Sequence, residues 1–196
     1  MAGGCGADDD GLGRRIRDRR LRQGLTLVAL AERAGLSQPF LSQLERGRAQ
    51  PSMASLHRLA RSLGTTTPAL MAGDGAGDGA GDGDGPEGPR VSLVRAGAGT
   101  AVHHAAGSTR SLVQGRAELL PLEFTVTSPD FDDYFAHERA ELIYVLDGRI
   151  EVDLHDDGLR ELAPGDCLYY SGAVPHRFRT LGPGPARVLV VQAGQR

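Results

Sequence analysis

Residues 25–64 read LTLVALAERAGLSQPFLSQLERGRAQPSMASLHRLARSLG and contain start and stop signals for three short helices. Thr26, Ser37 and Ser52 each precede an apolar run with a helical period, so each is predicted to be an N-cap. Gly35 is predicted to end the first of these helices. The turn AGLS joins the first two helices, and a glycine in such a short connection is typical of a helix-turn-helix.

Two more helices are predicted on either side of this stretch. Leu12, Ile16 and Leu21 recur among six arginines, which is the pattern of an amphipathic helix with its apolar face turned inward. Thr67 precedes a proline and is predicted to begin a short fifth helix. Residues 12–72 are therefore predicted to form an all-α domain of about five helices.

Charge is distributed unevenly along the chain. Residues 12–72 contain 11 arginines and three acids, a balance of 11 − 3 = +8, whereas residues 91–196 contain 10 arginines and 14 acids, a balance of 10 − 14 = −4. The intervening residues 73–90, largely GDGAGDGAGDGDGPEGP, are predicted to be a flexible linker because they lack apolar side chains that would offset the entropy lost on ordering. Two domains are expected after a disordered tail, residues 1–11.

Composition excludes several classes of protein. No apolar run approaches the ~18 residues of a membrane span, and the start of the chain lacks the basic and then apolar pattern of a signal peptide. Cys5 and Cys167 are the only cysteines, so no disulfide framework is expected. We expect a cytoplasmic protein that associates with no membrane.

The helical stretch resembles the helix-turn-helix of XRE-family transcriptional regulators and phage repressors. The resemblance extends over about 60 residues and rests on the AGLS turn, the LSQLERG end of the third helix and the P-S start of the fourth. It implies that the third helix enters the major groove of double-stranded DNA. Leu27 departs from the family, which often has a glutamine there, so a phosphate contact would fall to Thr26 or to an arginine of the first helix. The DNA-contacting residues that the resemblance implies are Thr26, Gln38, Pro39, Ser42, Gln43, Arg46 and Arg48.

The chemistry of these side chains agrees with such an assignment. Glutamine can pair with an adenine edge, and serine and arginine can bond phosphate. Arg46 and Arg48 follow the third helix, where they are better placed to neutralise the DNA backbone than to read bases. The alternative is an arginine-rich helical bundle whose charges are only solvated, or a helix-turn-helix that no longer binds DNA.

Strand-like runs replace the helical pattern after residue 90. Pairs of Gly, Pro and Asp separate these runs, which is typical of an antiparallel sandwich or jelly roll. The sequence DGR at 147–149 predicts a tight hairpin, and PGD at 164–166 predicts a turn. The seven runs are VSLVRA, AELLPLEFTVT, ELIYVLDG, RIEVDLH, DCLYYS, HRFRTL and RVLVVQA.

Two motifs in this region resemble those of the cupin family. The first cupin motif ends H-x3-4-E-x6-G and is matched by His137, Glu141 and Gly148. The second begins with a glycine and has a histidine eleven residues later, matched by Gly165 and His176. The resemblance implies an all-β cupin domain, a jelly-roll or double-stranded β-helix barrel, over residues 91–196.

Metal-binding cupins have a further histidine in the first motif, where this chain has Phe135. The remaining His137, Glu141 and His176 are the residue types of a two-histidine, one-carboxylate site. The chain must turn between 138 and 140, because residues four apart on one strand lie ~13 Å apart. Two interpretations stay open, a divalent metal (Fe, Zn, Ni or Mn) and a metal-free polar ligand pocket. Three other histidines of this region lie outside the two motifs and are predicted to be at the surface: His103, His104 and His155.

The order of the domains resembles two classes of protein. One is a class of bacterial regulators whose cupin barrel senses a small-molecule effector. The other is the iron oxygenase class of hydroxypropylphosphonate epoxidase, which has the same domain order and the same reduced triad. The net charge of +8 in residues 12–72 and the polar third helix favour a regulator without enzyme activity, since an enzyme that did not read DNA would need neither. The expected form is a homodimer with its third helices in successive major grooves, ~34 Å apart.

Overall fold

The computed structural model describes residues 10–72, 91–114 and 117–193. The predicted linker, 73–90, and most of the predicted tail lie outside the described residues. No helix in the described part of the chain has both the length and the apolar character needed to cross a membrane. The helices are α1 (Asp10–Arg22), α2 (Leu27–Ala34), α3 (Gln38–Glu45), α4 (Met53–Ser62) and α5 (Thr67–Ala72).

Side-chain caps begin three of these helices, as predicted. The hydroxyls of Thr26, Ser37 and Ser52 each accept a hydrogen bond from the backbone N–H three residues later, at 3.1, 3.3 and 3.2 Å. Each bond satisfies one of the N–H groups that have no partner within the helix. Gly35 ends α2 in the left-handed conformation, with a φ of 60°.

The inner face of α1 differs from the prediction. Leu12 and Ile16 are buried, but Leu21 is 54% exposed, so its predicted place in the core is wrong. The adjacent Arg20 is buried instead, because its Nε and Nη2 donate to the two carboxylate oxygens of Glu45 at 2.7 and 2.8 Å. This bidentate ion pair joins α1 to the end of α3.

Gly13 permits a close approach of α1 to α3. A Cβ on Gly13 would collide with the Leu44 carbonyl oxygen, whereas a Cβ on Gly11 would meet only the end of the flexible Arg15 side chain. Gly13→Ala is therefore expected to destabilise the protein by about 1 to 3 kcal/mol through overpacking. Gly11→Ala should be neutral or stabilise by up to about 1 kcal/mol through higher helix propensity.

Urea unfolding followed by helical circular dichroism checks this pair of substitutions, with Gly11→Ala as the matched control. Equal stability of the two variants would mean that α1 and α3 do not approach closely at Gly13.

The rest of the described chain forms antiparallel strands in two sheets. The strands are β1 (Ala101–His104), β2 (Gly107–Ser111), β3 (Leu119–Val126), β4 (Glu141–Asp147), β5 (Ile150–Asp153), β6 (Leu159–Leu162), β7 (Cys167–Tyr170), β8 (Arg177–Thr180) and β9 (Ala186–Ala193). The larger sheet has the order β1-β2-β3-β9-β4-β7, and the smaller has the order β6-β5-β8. Alternate side chains of β1, β4, β8 and β9 are buried, and all four side chains of β5 are buried. This is the predicted cupin sandwich.

Two local predictions for this domain are wrong. The run VSLVRA forms no strand, and its Val91 and Leu93 are 86% and 64% exposed. The DGR sequence is not a hairpin, because β4 pairs with β7 and β9 whereas β5 pairs with β6 and β8. Gly148, with a φ of 72°, instead turns the chain from one sheet into the other.

The helical domain and the β domain pack against each other. Their buried apolar side chains form one continuous cluster. The backbone N–H of Met53, at the start of α4, donates to Asp132 Oδ2 at 3.1 Å, and the N–H of Ala105 donates to the Pro51 carbonyl at 3.1 Å. The start of α4 is therefore hydrogen-bonded to the β domain.

Candidate functional site

The three residues that the cupin motifs singled out lie together in the β domain. His137 lies in the loop before β4, Glu141 is the first residue of β4, and His176 directly precedes β8. One possible ligand atom from each lies within 4.8 Å of the other two. The chain bends at 138 and 139, as predicted, and brings His137 Nε2 to 3.1 Å from Glu141 Oε2.

Glu141 is buried in a network of hydrogen-bond donors. Its Oε1 accepts from the Tyr170 hydroxyl and its Oε2 from Gln192 Nε2, both at 2.5 Å. Burial would raise the pKa of Glu141, but the hydrogen bond from His137, the nearby His176 and the Tyr170 hydroxyl outweigh it and lower the pKa to about 2. Glu141 is therefore ionised at neutral pH.

His176 presents a free nitrogen to the site. Its Nδ1 lies 2.8 Å from the Val174 carbonyl, which can only accept a hydrogen bond, so Nδ1 carries the proton. Burial lowers the pKa of His176, and the neutral ring therefore has a lone pair on Nε2. This buried Nε2 has no hydrogen-bond partner among the described residues. Metal-binding histidines commonly donate their other N–H to a carbonyl in the same way.

The donor set fits a divalent cation, with one carboxylate and two imidazoles. His137 also fits the metal-free alternative, because its Nε2–H can donate to Glu141 Oε2. The position of the missing family histidine is filled by Phe135, whose ring centroid lies 4.2 Å from that of His176. Both interpretations of the sequence thus have a structural basis.

His57 of α4 is a residue that sequence reasoning missed. Its ring stacks on Phe135 at a centroid distance of 4.5 Å and on His137 at 5.4 Å. Its Nδ1 lies 2.9 Å from the hydroxyl of Thr67 in α5. Burial and then the neighbouring His137 lower the pKa of His57 to about 3, so this ring is neutral. A helix of one domain thus contributes a ring to the site of the other.

A cleft between the two domains leads to these residues. Its volume is about 520 Å³, and His57, Arg61 and Thr67 line it on the helical side. His137 and Gln192 line it on the β side. The cleft could admit a small molecule or a hydrated ion to His137, whereas Glu141 and His176 are buried and do not line it.

The predicted surface histidines have different environments. His103 and His155 are exposed, as predicted. His104 is only 3% exposed and its Nε2 lies 3.0 Å from the Thr109 hydroxyl, so the prediction of a surface position is wrong. His104 lies on β1, and the sequence analysis predicted no strand there.

The predicted DNA-contacting residues lie on α3 and on the segments flanking the helix-turn-helix. All are exposed except Ser42, which is half-buried. The Thr26 hydroxyl also caps α2. The residues on this surface are Thr26, Gln38, Pro39, Ser42, Gln43, Arg46 and Arg48.

Known protein families match both parts of the chain. A family model described as a helix-turn-helix domain matches residues 11–72, and one described as a cupin domain matches residues 127–192. The HTH-type transcriptional regulator DdrOP3 of Deinococcus deserti is 44% identical over 59 residues, 30% of this chain and 46% of that protein. An uncharacterized HTH-type transcriptional regulator of Methanothermobacter thermautotrophicus is 47% identical over 49 residues, 25% of this chain and 71% of that protein. The chain thus spans about half the length of the first relative.

A solved structure shares the fold of both domains. An HTH_3 family transcriptional regulator from Vibrio cholerae aligns with a TM-score of 0.64 and 20% identity, over 96% of this chain and 98% of that one. A structure of FeII HppE aligns over 95% of this chain and 100% of that one, with 24% identity and a TM-score of 0.42, too low to support an inference about chemistry. The predicted helix-turn-helix regulator with a C-terminal cupin domain is confirmed, and the chain belongs to the family of HTH-type transcriptional regulators.

Proposed function

We propose that this chain binds specific double-stranded DNA through α3 and regulates transcription in response to an effector bound in its cupin domain. The observation that carries this proposal is the polar, exposed surface of α3 in a domain with a net charge of +8. The effector is a small molecule or a divalent metal ion that binds near His137, Glu141 and His176. The proposed place of action is bacterial nucleoid DNA in the cytoplasm.

The exposed side chains of α3 and of the segment that follows it have two different roles in DNA binding. Gln38 and Gln43 are long enough to reach base edges and can pair with adenine. Arg46 and Arg48 follow α3 and neutralise phosphates without reading sequence. The proposed DNA-bound form is a homodimer whose two α3 helices enter successive major grooves about 34 Å apart.

The effector can alter DNA affinity only if it binds two arrangements of the protein unequally. The cleft supports this part of the proposal because both domains line it. A ligand in the cleft would contact the helical domain and the β domain together.

Substitutions on α3 should separate base reading from phosphate binding. Gln43→Ala is expected to relax sequence preference by about 1 to 3 kcal/mol at one base position, and Gln38→Ala should do so at another. Arg46→Ala is expected to weaken binding to all sequences alike. It should also reduce, by about one, the slope of the logarithm of the DNA-binding constant against the logarithm of salt concentration. Selection from a random DNA library, followed by titrations of the selected site and of random DNA at several salt concentrations, measures these effects.

Arg160→Ala is the matched control, because Arg160 is an exposed arginine of the β domain. This variant should leave both affinity and sequence preference unchanged. A wild-type protein that enriches no sequence would refute the DNA-binding proposal. Equal losses of the glutamine variants on selected and random DNA would refute their role as readers of bases.

A second candidate function is a mononuclear non-haem iron oxygenase. The donor set His137, Glu141 and His176 favours it, since two histidines and one carboxylate leave positions open on iron. Iron held there would supply redox chemistry with dioxygen. Oxygen uptake by the iron-loaded protein, together with no enriched sequence in the DNA selection, would favour this function over the first.

A further inference from the structure

The two domains are joined at the start of α4. The Met53 N–H donates to the Asp132 carboxylate, and the Ala105 N–H donates to the Pro51 carbonyl. The Met53 N–H belongs to the first turn of the helix, where no intrahelical acceptor exists. Both amides would lose these acceptors if the domains separated. We call the arrangement with these two bonds the docked arrangement.

His57 lies one helical turn after Met53, on the same face of α4. Its ring covers Phe135 and the candidate ligand His137, with interplanar angles of 13° and 21°. The hydrogen bond between His57 Nδ1 and Thr67 ties the ring to α5. One side chain of the helical domain is thus held directly against the candidate metal site.

The residue after His57 connects α4 to the helix-turn-helix. Arg58 Nε donates to the carbonyl of Ala34 at 3.0 Å, and Ala34 is the last residue of α2. Gly35 follows immediately and begins the turn into α3. Consecutive residues of α4 therefore contact the cupin site on one side and the DNA-binding motif on the other.

From these contacts we infer that His57 is a positioning residue that couples a divalent cation on His137, Glu141 and His176 to the docking of the helix-turn-helix domain. The inference deepens the proposed function and rests on it for its biological meaning. It assigns the regulatory contact to the stacked rings of His57 and His137. The expected direction of the coupling is that bound cation stabilises the docked arrangement.

The direction of this coupling follows from how strongly the orientation of the His137 ring is restricted. A cation shared by His137, Glu141 and His176 would fix the orientation of this ring by coordination instead of by its contacts with Glu141 and Gln192, at 3.1 and 3.4 Å. A ring that is already ordered loses less conformational entropy when His57 stacks on it. The docked arrangement should therefore bind the cation more tightly than the separated one, and by linkage the cation should stabilise docking by the same factor.

Hydrogen exchange of the Met53 and Ala105 amides, resolved by NMR in the full chain, measures docking directly. Co²⁺ alone is the probe, and its absorption spectrum reports binding independently. In the wild-type protein, Co²⁺ should slow exchange of both amides by at least about fivefold, the lower end of typical coupling between sites. The Ile143 amide in β4 serves as an internal reference for the stability of the β domain.

Two variants separate coupling from packing. In His57→Ala, Co²⁺ should still bind and still protect Ile143, but it should no longer slow exchange at Met53 and Ala105. His57→Phe keeps an aromatic ring for the stack and should retain most of the wild-type effect. Ser62→Ala at the end of α4 is the control and should behave as wild type.

Equal slowing at Met53 and Ala105 in wild type and His57→Ala would overturn the inference, as would a wild-type protein that binds no Co²⁺. If His57→Ala does not fold, a loss of the Co²⁺ effect in the folded His57→Phe variant would overturn the role of the stack. DNA is absent from the experiment, so the failure of DNA binding and the failure of this coupling are separate results.

Discussion

Replacing Glu45 with alanine is expected to destabilise the helical domain by about 3 to 5 kcal/mol. Glu45 holds both Nε and Nη2 of Arg20, and the two side chains are only 7% and 10% exposed. Arg20 Nη1 also donates to the Leu25 carbonyl at 2.9 Å, which keeps the guanidinium in place. Without Glu45 this buried charge has lost its partner. The loss is large beside a typical total stability of about 5 to 15 kcal/mol.

The matched control is Glu161→Ala. Glu161 accepts from Arg149 Nη2 at 3.0 Å, but these side chains are 61% and 57% exposed. Solvent screens such a pair, so its loss should cost no more than about 1 kcal/mol. Urea unfolding monitored by helical circular dichroism compares the two variants. Similar losses for both would mean that the Arg20 pair is not desolvated in solution.

The ion pair also bears on the proposed DNA binding. Glu45 is the last residue of α3, so the bond to Arg20 fixes the end of the proposed recognition helix against α1. Glu45→Ala should therefore weaken binding to selected and random DNA together with stability. A double replacement of Arg20 and Glu45 by apolar residues of similar size should recover much of the stability, because no unpaired charge remains.

Local signals explain which parts of the helical domain could be predicted. The caps Thr26, Ser37 and Ser52 act on N–H groups three residues away, so the sequence contains the whole interaction. The inward turn of Arg20 depends on a partner 25 residues along the chain. Apolar periodicity alone therefore placed Leu21 in the core in error.

The same distinction applies to the strands. Gly148 has the sequence environment of a hairpin glycine, but the pairing partners of β4 and β5 come from other parts of the chain. Val91 has high strand propensity, and yet Val91 and Leu93 remain exposed without a partner strand among the described residues. Strand propensity does not determine pairing, and pairing decides which segments become strands.

The candidate site was predictable to the extent that it follows the cupin motifs. Their spacing anticipated that His137, Glu141 and His176 meet, and the bend at 138 and 139 satisfies the distance condition. His57 had no such signal, because its contact with His137 spans two domains. A histidine within an amphipathic helix looks the same in sequence whether solvent or another domain lies against it.

Replacing His176 with alanine is expected to lower the affinity for a divalent cation by at least about 100-fold, since losing even an outer contact of a metal ligand costs 10- to 100-fold. His176 Nε2 is buried, unprotonated and without a hydrogen-bond partner among the described residues, and it lies close to Glu141 and His137. Co²⁺ titration followed by absorption measures the affinity, and the melting temperature with and without Co²⁺ measures the linked stabilisation.

His104→Ala is the matched control for this last prediction. His104 is buried in the same domain and its Nε2 bonds to Thr109 at 3.0 Å, but it is not among the three donors. Its replacement should lower stability and leave the Co²⁺ affinity unchanged. Equal losses of affinity would mean that His176 acts only through the fold. If iron, zinc, nickel and cobalt all leave the melting temperature of the wild-type protein unchanged, the site is the metal-free pocket. A small molecule should then raise the melting temperature of the wild type but not of His176→Ala.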